Sequence, residues 1–363
     1  MSDPRLDAVV AHDAGDRFGL TEALCAVPSV FPHEGPLADA IEQRLRARAP
    51  KLEIVRFKNN VVARTNLGRP ERVVIGGHTD TVPANNNQIP RRDGDVLHGL
   101  GTADMKGGLA IMLALAEWCT TNEPRHDLTL FWYEGEEVAD EHNGLRAMFE
   151  ERPGLVEGTF AILMEPTGAW VEAGCQGTLH LEAHFHGARA HTARPWMGTN
   201  AIHRAADVLA RIAAHDPGTS VVDGLEFRES VQVVRVNGGV ANNVVPDECS
   251  MIVNRRFAPC HTNDDAVAQL SALLAGADDI VQVNLSPAAA PNLTNPLVAD
   301  FVTTLGVDVR PKLGWTDVAR FASRGIPAVN FGPGDPTVAH TAQERVDRDE
   351  IERCYDGLVA FLG

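Results

Sequence analysis

The sequence predicts an α/β fold in which a domain with a mostly parallel sheet is interrupted by an inserted α+β domain. Three observations carry this expectation. Apolar runs of strand length alternate with helical patterns through the first half of the chain. After Gly174 the strands change to a period-two alternation. From about Pro287 the first pattern returns. A chain of 363 residues is long enough for about two domains.

The elements follow in order. Residues 20–48 carry helical spacing, interrupted near Pro28 and Pro32. LEIVRF and NVVART read as strands, and ERVVIGGHTDT as an apolar strand ending in polar residues. GGLAIMLALAEWC has the composition of a buried helix. DLTLFWYEGEE and GTFAILMEPT are again apolar strands, each running into carboxylates. GTLHLEAHFHG, ESVQVVRVNGG and ECSMIVNRRF alternate as antiparallel strands do. NAIHRAADVLARIAAH and DDAVAQLSALLAG supply two helices, giving a β-α-β-β-α-β, ferredoxin-like insert. Helix, the strand IPAVNFG, a loop and the final helix DEIERCYDGLVAFLG close the chain. The expected boundaries are 1–176, 177–286 and 287–363, the outer two segments forming one domain.

Composition narrows the class. A hydrophobic fraction of 44% and a charged fraction of 22% are those of a globular protein. The formal net charge of -17 argues against nucleic acid or an anionic membrane as partner. The acidic N-terminus lacks the apolar core of a signal peptide, and no run reaches the ~18 apolar residues of a membrane span. The six cysteines show no CxxC spacing and read as reduced thiols of a cytoplasmic protein.

The chemistry-bearing residues gather just beyond apolar strands, where sites of open α/β sheets lie. His78 and Asp80 follow RVVIGG, Glu136 and Glu137 follow LTLFWY, and Glu165 follows FAILM. Asp104 stands in the glycine-rich GLGTADMKGG and His340 in the late loop FGPGDPTVAH. His78, Asp104, Glu137, Glu165 and His340 are the five metal-ligand candidates. They suffice for two zinc ions if one carboxylate bridges, and glycines around Asp104 allow the backbone to approach closely. Taken alone, Asp104 also reads as a helix cap and Glu136–Glu137 as a solvated acidic loop. His78 and Asp80, two apart at a strand end, share a side, so Asp80 can fix the imidazole's second nitrogen. Glu136 is assigned as general base. Arg255 and Arg256 end a strand and could grip a carboxylate, or could simply be surface cations.

GGHTDTVP, GLGTADMKGG, EGEE, MEPT, GARAHTARPWMGTNAIHRAA and the late AH resemble the di-zinc aminoacylase and exopeptidase family. EAGCQGTL, NNVVPDECSMIVNRRFAP, GWTDVARFASRGIPAVNFGPGDP and AHTAQERV are similar to its succinyl-diaminopimelate desuccinylase branch. The resemblance implies a zinc-exopeptidase type of catalytic domain and an inserted lid that makes a homodimer. It implies two zinc ions per chain, replaceable by cobalt: one on His78, Asp104 and Glu165, the other on Asp104, Glu137 and His340. It further implies Asp80 and Glu136 as catalytic residues, with His191 reaching across the dimer to the scissile carbonyl. Asn243, also from the partner subunit, Arg256 and Thr316 would bind substrate, and the peptide bond after Asp104 would be cis. The expected reaction is hydrolysis of an acylated amino acid, N-succinyl-LL-2,6-diaminopimelate, in lysine biosynthesis. Acetylornithine deacetylase and dipeptidase activities are the alternatives. Gln176 and Trp315 stand where some desuccinylases carry arginine and glycine.

Overall fold

The structure, a computed structural model, describes residues 3–363. The chain divides into two compact units: Met1–Ala173, Asn292–Arg310 and Arg320–Gly363 in the first, Gly174–Pro291 and Pro311–Ala319 in the second. No helix among the described residues is long and apolar enough to cross a membrane.

The first unit is built on an eight-stranded mixed sheet. Its strand order is Glu53–Phe57, Asn60–Arg64, Asp127–Tyr133, Arg72–His78, Phe160–Leu163, Ala328–Asn330, Val171–Ala173 and Val309–Pro311. The four central strands, from Asp127–Tyr133 to Ala328–Asn330, run parallel, with antiparallel pairs outside them. Asp127–Tyr133 and Phe160–Leu163 are buried along their whole length, which is why they read as unbroken apolar runs. Helix Gly107–Trp118 is buried from Gly107 to Ala116. Its close approach depends on Gly108, where a Cβ would stand 2.6 Å from the Met164 carbonyl oxygen. Gly76, in the central strand, leaves room for the Phe131 ring, whose Cζ would lie 1.9 Å from an added Cβ.

The second unit holds a four-stranded antiparallel sheet in the order Ser230–Gly238, Glu248–Phe257, Gly177–His186, Asp279–Ser286. With helices Ala201–Ala214 and Asn263–Leu273 this is the β-α-β-β-α-β arrangement. Gly177–His186 and Glu248–Phe257 bury alternate residues. Leu181, Phe185, Met251 and Val253 thereby meet Val208, Ile212 and Leu270 of the helices in one core. Each helix is started by its own side-chain cap: Asn200 accepts the Ile202 and His203 amides, and Thr262 forms a capping box with Asp265.

Elements too short to show a period were not legible in the sequence. They include strands Arg91–Asp93, Val96–His98 and Arg345–Asp347 and the hairpin pairing Thr219–Val222 with Leu225–Arg228. One of them, Arg345–Asp347, pairs antiparallel with Val96–His98 and brings the late loop to the glycine-rich turn.

Candidate metal centre

Parallel register places the first candidates side by side. His78 pairs with Tyr133 at the end of the central strand, and Gly76 pairs with Leu163 on the other side. His78 and Glu165 are therefore each two residues past a paired position. The Thr79 amide donates to the Tyr133 carbonyl at 2.7 Å, so the chain beyond His78 stays beside the one leading to Glu136 and Glu137. Asp104 is carried by a tight turn at Thr102–Lys106, entered through Gly101 at φ 77° and closed by Lys106 N–H donating to the Gly101 carbonyl at 2.7 Å. The Asp104–Met105 peptide bond is cis.

Asp104 faces two histidines with its two oxygens. Oδ1 lies 3.0 Å from His78 Nε2, and Oδ2 lies 3.1 Å from His340 Nε2. His340 Nε2 is also 2.8 Å from Glu137 Oε1. Ligand atoms of His78, Asp104 and Glu137 all lie within 4.8 Å of one another. Imidazole nitrogen and carboxylate oxygen are the donors zinc takes, so this group fits a metal centre. Glu165 is buried at the neighbouring strand end.

Burial opposes protonation of His78, but the Asp104 and Asp80 carboxylates outweigh it and hold the ring well above its ordinary range. Burial likewise opposes ionisation of Asp104, yet His340 and His78 keep its carboxyl well below the usual carboxylate range. Hydrogen bonds to Asp104 and Glu137 raise His340 to about 10. Such mutual dependence of two imidazoles and their carboxylates is what a shared cation would replace.

Asp80 does more than the sequence suggested. His78 Nδ1 is nearest the Asp80 backbone carbonyl, at 3.0 Å, and 3.6 Å from its carboxylate. The carboxylate accepts the amide hydrogens of Glu136 at 3.1 Å and Glu137 at 2.9 Å. Asp80 thus links the imidazole to the loop that carries two further site carboxylates.

Of the remaining candidates, His191 and Asn243 are exposed and adjacent in the second unit, where the Thr192 amide donates to the Asn243 carbonyl at 3.1 Å. Arg256, half-buried, and Thr316, buried, belong to the same unit. Gln176 is buried and donates from Nε2 to the Arg228 carbonyl at 2.7 Å, while Trp315 Nε1 donates to the Pro287 carbonyl at 3.1 Å. Arg255 is not a substrate clamp. It is buried, donates to the Ala266 carbonyl and to Gln269, and pairs with Glu229 at 3.5 Å.

Two buried carboxyls beside the site carry no sequence signal of their own. Glu344 accepts the amides of Ala103 at 3.2 Å and Asp104 at 3.1 Å. Glu34, at the start of helix Gly35–Arg48, is raised to about 7 by burial, with Asp80 and Glu134 adding to the shift.

Residues 74–363 match the profile described as "Peptidase family M20/M25/M40". The chain is 46% identical over 350 residues to a Mycobacterium tuberculosis protein named "Putative succinyl-diaminopimelate desuccinylase DapE", covering 96% of this chain and 98% of that one. It is 43% identical over 344 residues to the succinyl-diaminopimelate desuccinylase of Corynebacterium glutamicum, covering 93% of each. Among solved structures, the aminopeptidase PepT of Bacillus cereus shares the fold with a TM-score of 0.80 at 18% identity, covering 96% of this chain and 98% of that chain.

Proposed function

The chain belongs to the M20/M25/M40 peptidase family, and on that ground we propose that it is a di-zinc hydrolase that cleaves N-succinyl-LL-2,6-diaminopimelate to succinate and LL-2,6-diaminopimelate. The observation that carries the substrate is the 43% identity, over nearly the full length of both chains, to a protein named for that reaction. The donor set supports the metal reading: His78, Asp104 and Glu165 would hold one zinc, and Asp104, Glu137 and His340 the other. Asp104 would serve both, since its two oxygens face His78 and His340. When bound, two zinc ions would acidify water and polarise the amide carbonyl.

The residues of the chain do the rest. Glu136 takes a proton from the attacking water as its oxygen bonds to the succinyl carbonyl carbon. The carbon–nitrogen bond then breaks, and Glu136 returns the proton to the departing amine. Asp80 holds the Glu136 and Glu137 amides and so fixes the base against the ligands. We assign His191 and Asn243 to the active site of the opposite subunit of a homodimer, with His191 donating to the developing oxyanion. Arg256 and Thr316 are assigned to substrate carboxylates.

The test is a side-by-side assay of succinyl-diaminopimelate, acetylornithine and dipeptides with added zinc. Preferential turnover of succinyl-diaminopimelate is expected. Faster cleavage of acetylornithine or a dipeptide would overturn the substrate and leave the hydrolase.

A further inference from the structure

The segment that brings His340 to the metal centre also grips the turn that carries Asp104, and one residue makes both connections. Arg345 pairs with His98, the last residue of its strand. The register therefore sets Glu344 against Gly99, whose amide donates to the Glu344 carbonyl at 3.1 Å. From there the Glu344 side chain reaches the far end of the same turn. Its Oε1 accepts the Ala103 amide at 3.2 Å and the Asp104 amide at 3.1 Å. Glu344 thus holds the Gly99–Asp104 turn at both ends. Glu344 is 1% exposed and Ala103 is fully buried, so the bond between them is sheltered from solvent. Within the turn, the Thr102 hydroxyl closes on the Gly99 carbonyl at 2.7 Å, leaving the amides on the other side for the carboxylate.

His340 lies only four residues before Glu344, and the intervening chain is itself pinned. The Glu344 amide donates to the Thr341 carbonyl, which also accepts Asn87 Nδ2 at 3.1 Å. His340 occupies a left-handed conformation, φ 63°, that a non-glycine residue keeps only when its surroundings hold it. Two residues 236 positions apart in sequence, His340 and Asp104, are therefore set 3.1 Å apart through one short segment anchored at Glu344.

We propose that Glu344 is a positioning residue of the metal centre: it fixes the orientation of Asp104 relative to His340 and so the spacing of two residues that would hold metal. This rests on the reading of His78, Asp104, Glu137, Glu165 and His340 as ligands. Both amides converge on Oε1, so the task falls to one well-placed oxygen acceptor. A glutamine keeps that one oxygen acceptor but loses the negative charge, and alanine leaves both amides without this partner.

The experiment compares wild type, Glu344→Gln and Glu344→Ala in three measurements: unfolding of the metal-free protein, zinc affinity by competition with a chromophoric chelator, and the visible spectrum of the cobalt-loaded protein. Outer-shell partners of metal ligands are worth about 10–100-fold in metal affinity. Glu344→Ala is expected to weaken zinc binding about tenfold or more and to change the cobalt spectrum while the metal-free protein still unfolds cooperatively. Glu344→Gln is expected to fall between the two. A purely structural role would lower the unfolding midpoint but leave the cobalt spectrum of the folded fraction unchanged, and that result overturns the proposal. If Glu344→Ala does not fold, Glu344→Met, which fills the same space without an oxygen acceptor, decides: wild-type affinity and spectrum in that variant overturn the proposal. A wild-type protein that takes up no metal would instead sink the ligand reading, and this inference with it.

Discussion

The carboxylate of Asp80 accepts the amide hydrogen of Glu136 at 3.1 Å through Oδ1, while Oδ2 takes that of Glu137 at 2.9 Å. Asp80 is 1% exposed, and although burial opposes its ionisation, His78 and these two amides keep it below the usual carboxylate range. Asp80→Ala should therefore loosen the base and one ligand together and cost about 10–100-fold in metal affinity or activity. Asp80→Asn keeps one acceptor and should lose less. Metal content and kcat measured on the same preparations check this, and wild-type values in Asp80→Ala would show that the two amide bonds carry no weight.

Glu136 is proposed to move a proton and to ligate nothing. Glu136→Gln should bind metal at wild-type stoichiometry and lose about 10²–10⁴-fold in kcat. Metal analysis beside steady-state kinetics separates the two roles. Loss of one metal would make Glu136 a ligand, and near-normal turnover would remove it as the base.

His191 and Asn243 stand together on an exposed part of the second unit, joined by the Thr192 amide to the Asn243 carbonyl. If His191 serves the opposite subunit, mixing inactive His191→Ala and Glu136→Ala chains gives a heterodimer with one intact site. Up to about half of wild-type activity per heterodimer is the expected recovery, subunit exchange being verified by mass. Exchange without recovery would place His191 elsewhere.

The legible part of the site is the part that strands present. His78, Glu137 and Glu165 each follow an apolar run of strand length, and the parallel register brings those strand ends together. Asp104 and His340 are harder, because their meeting depends on a three-residue strand, Arg345–Asp347, too short to show any period. Glu344 and Glu34 were illegible for another reason: a single carboxylate in a loop or at a helix start has the sequence appearance of a solvated charge or a cap. Arg255 is no surface cation: it is buried, and the carboxylate it meets is Glu229 of the same unit. Alternation along Glu248–Phe257 buries Arg255 and turns Arg256 the other way, so the period that identified the strand already distinguished the two arginines.

Arg255 gives a stability prediction. Glu229, 6% exposed, accepts from Ser220 Oγ at 2.8 Å, lies 3.1 Å from His261 Nε2 and pairs with the buried Arg255 guanidinium. It therefore ties the Thr219–Arg228 hairpin to the sheet and to the loop before helix Asn263–Leu273. Glu229→Ala leaves a buried cation with reduced compensation, for which about 3–5 kcal/mol is the usual cost. Denaturant unfolding of the variant measures it, and a change below about 1 kcal/mol would mean that Gln269 and the Ala266 carbonyl suffice for Arg255.

Glu34 predicts how the metal-free protein responds to pH. The residue is fully buried, and burial outweighs the backbone amides of Glu34 and Gly135 and raises its carboxyl from 4.5 to about 7. An acid whose folded pKa lies above its unfolded one binds its proton more tightly when folded. Its contribution is therefore present below pH 4.5 and is lost as pH rises through about 7. The loss is at most about 3 kcal/mol. Glu34→Gln keeps a neutral side chain of the same size at every pH. Relative to this variant, wild type should become progressively less stable between pH 5 and pH 8, read as a widening gap in unfolding midpoints in the presence of a chelator. A gap that stays constant over that range would mean that Glu34 ionises in the folded protein as easily as in the unfolded chain, through an acceptable partner or through water reaching the start of helix Gly35–Arg48.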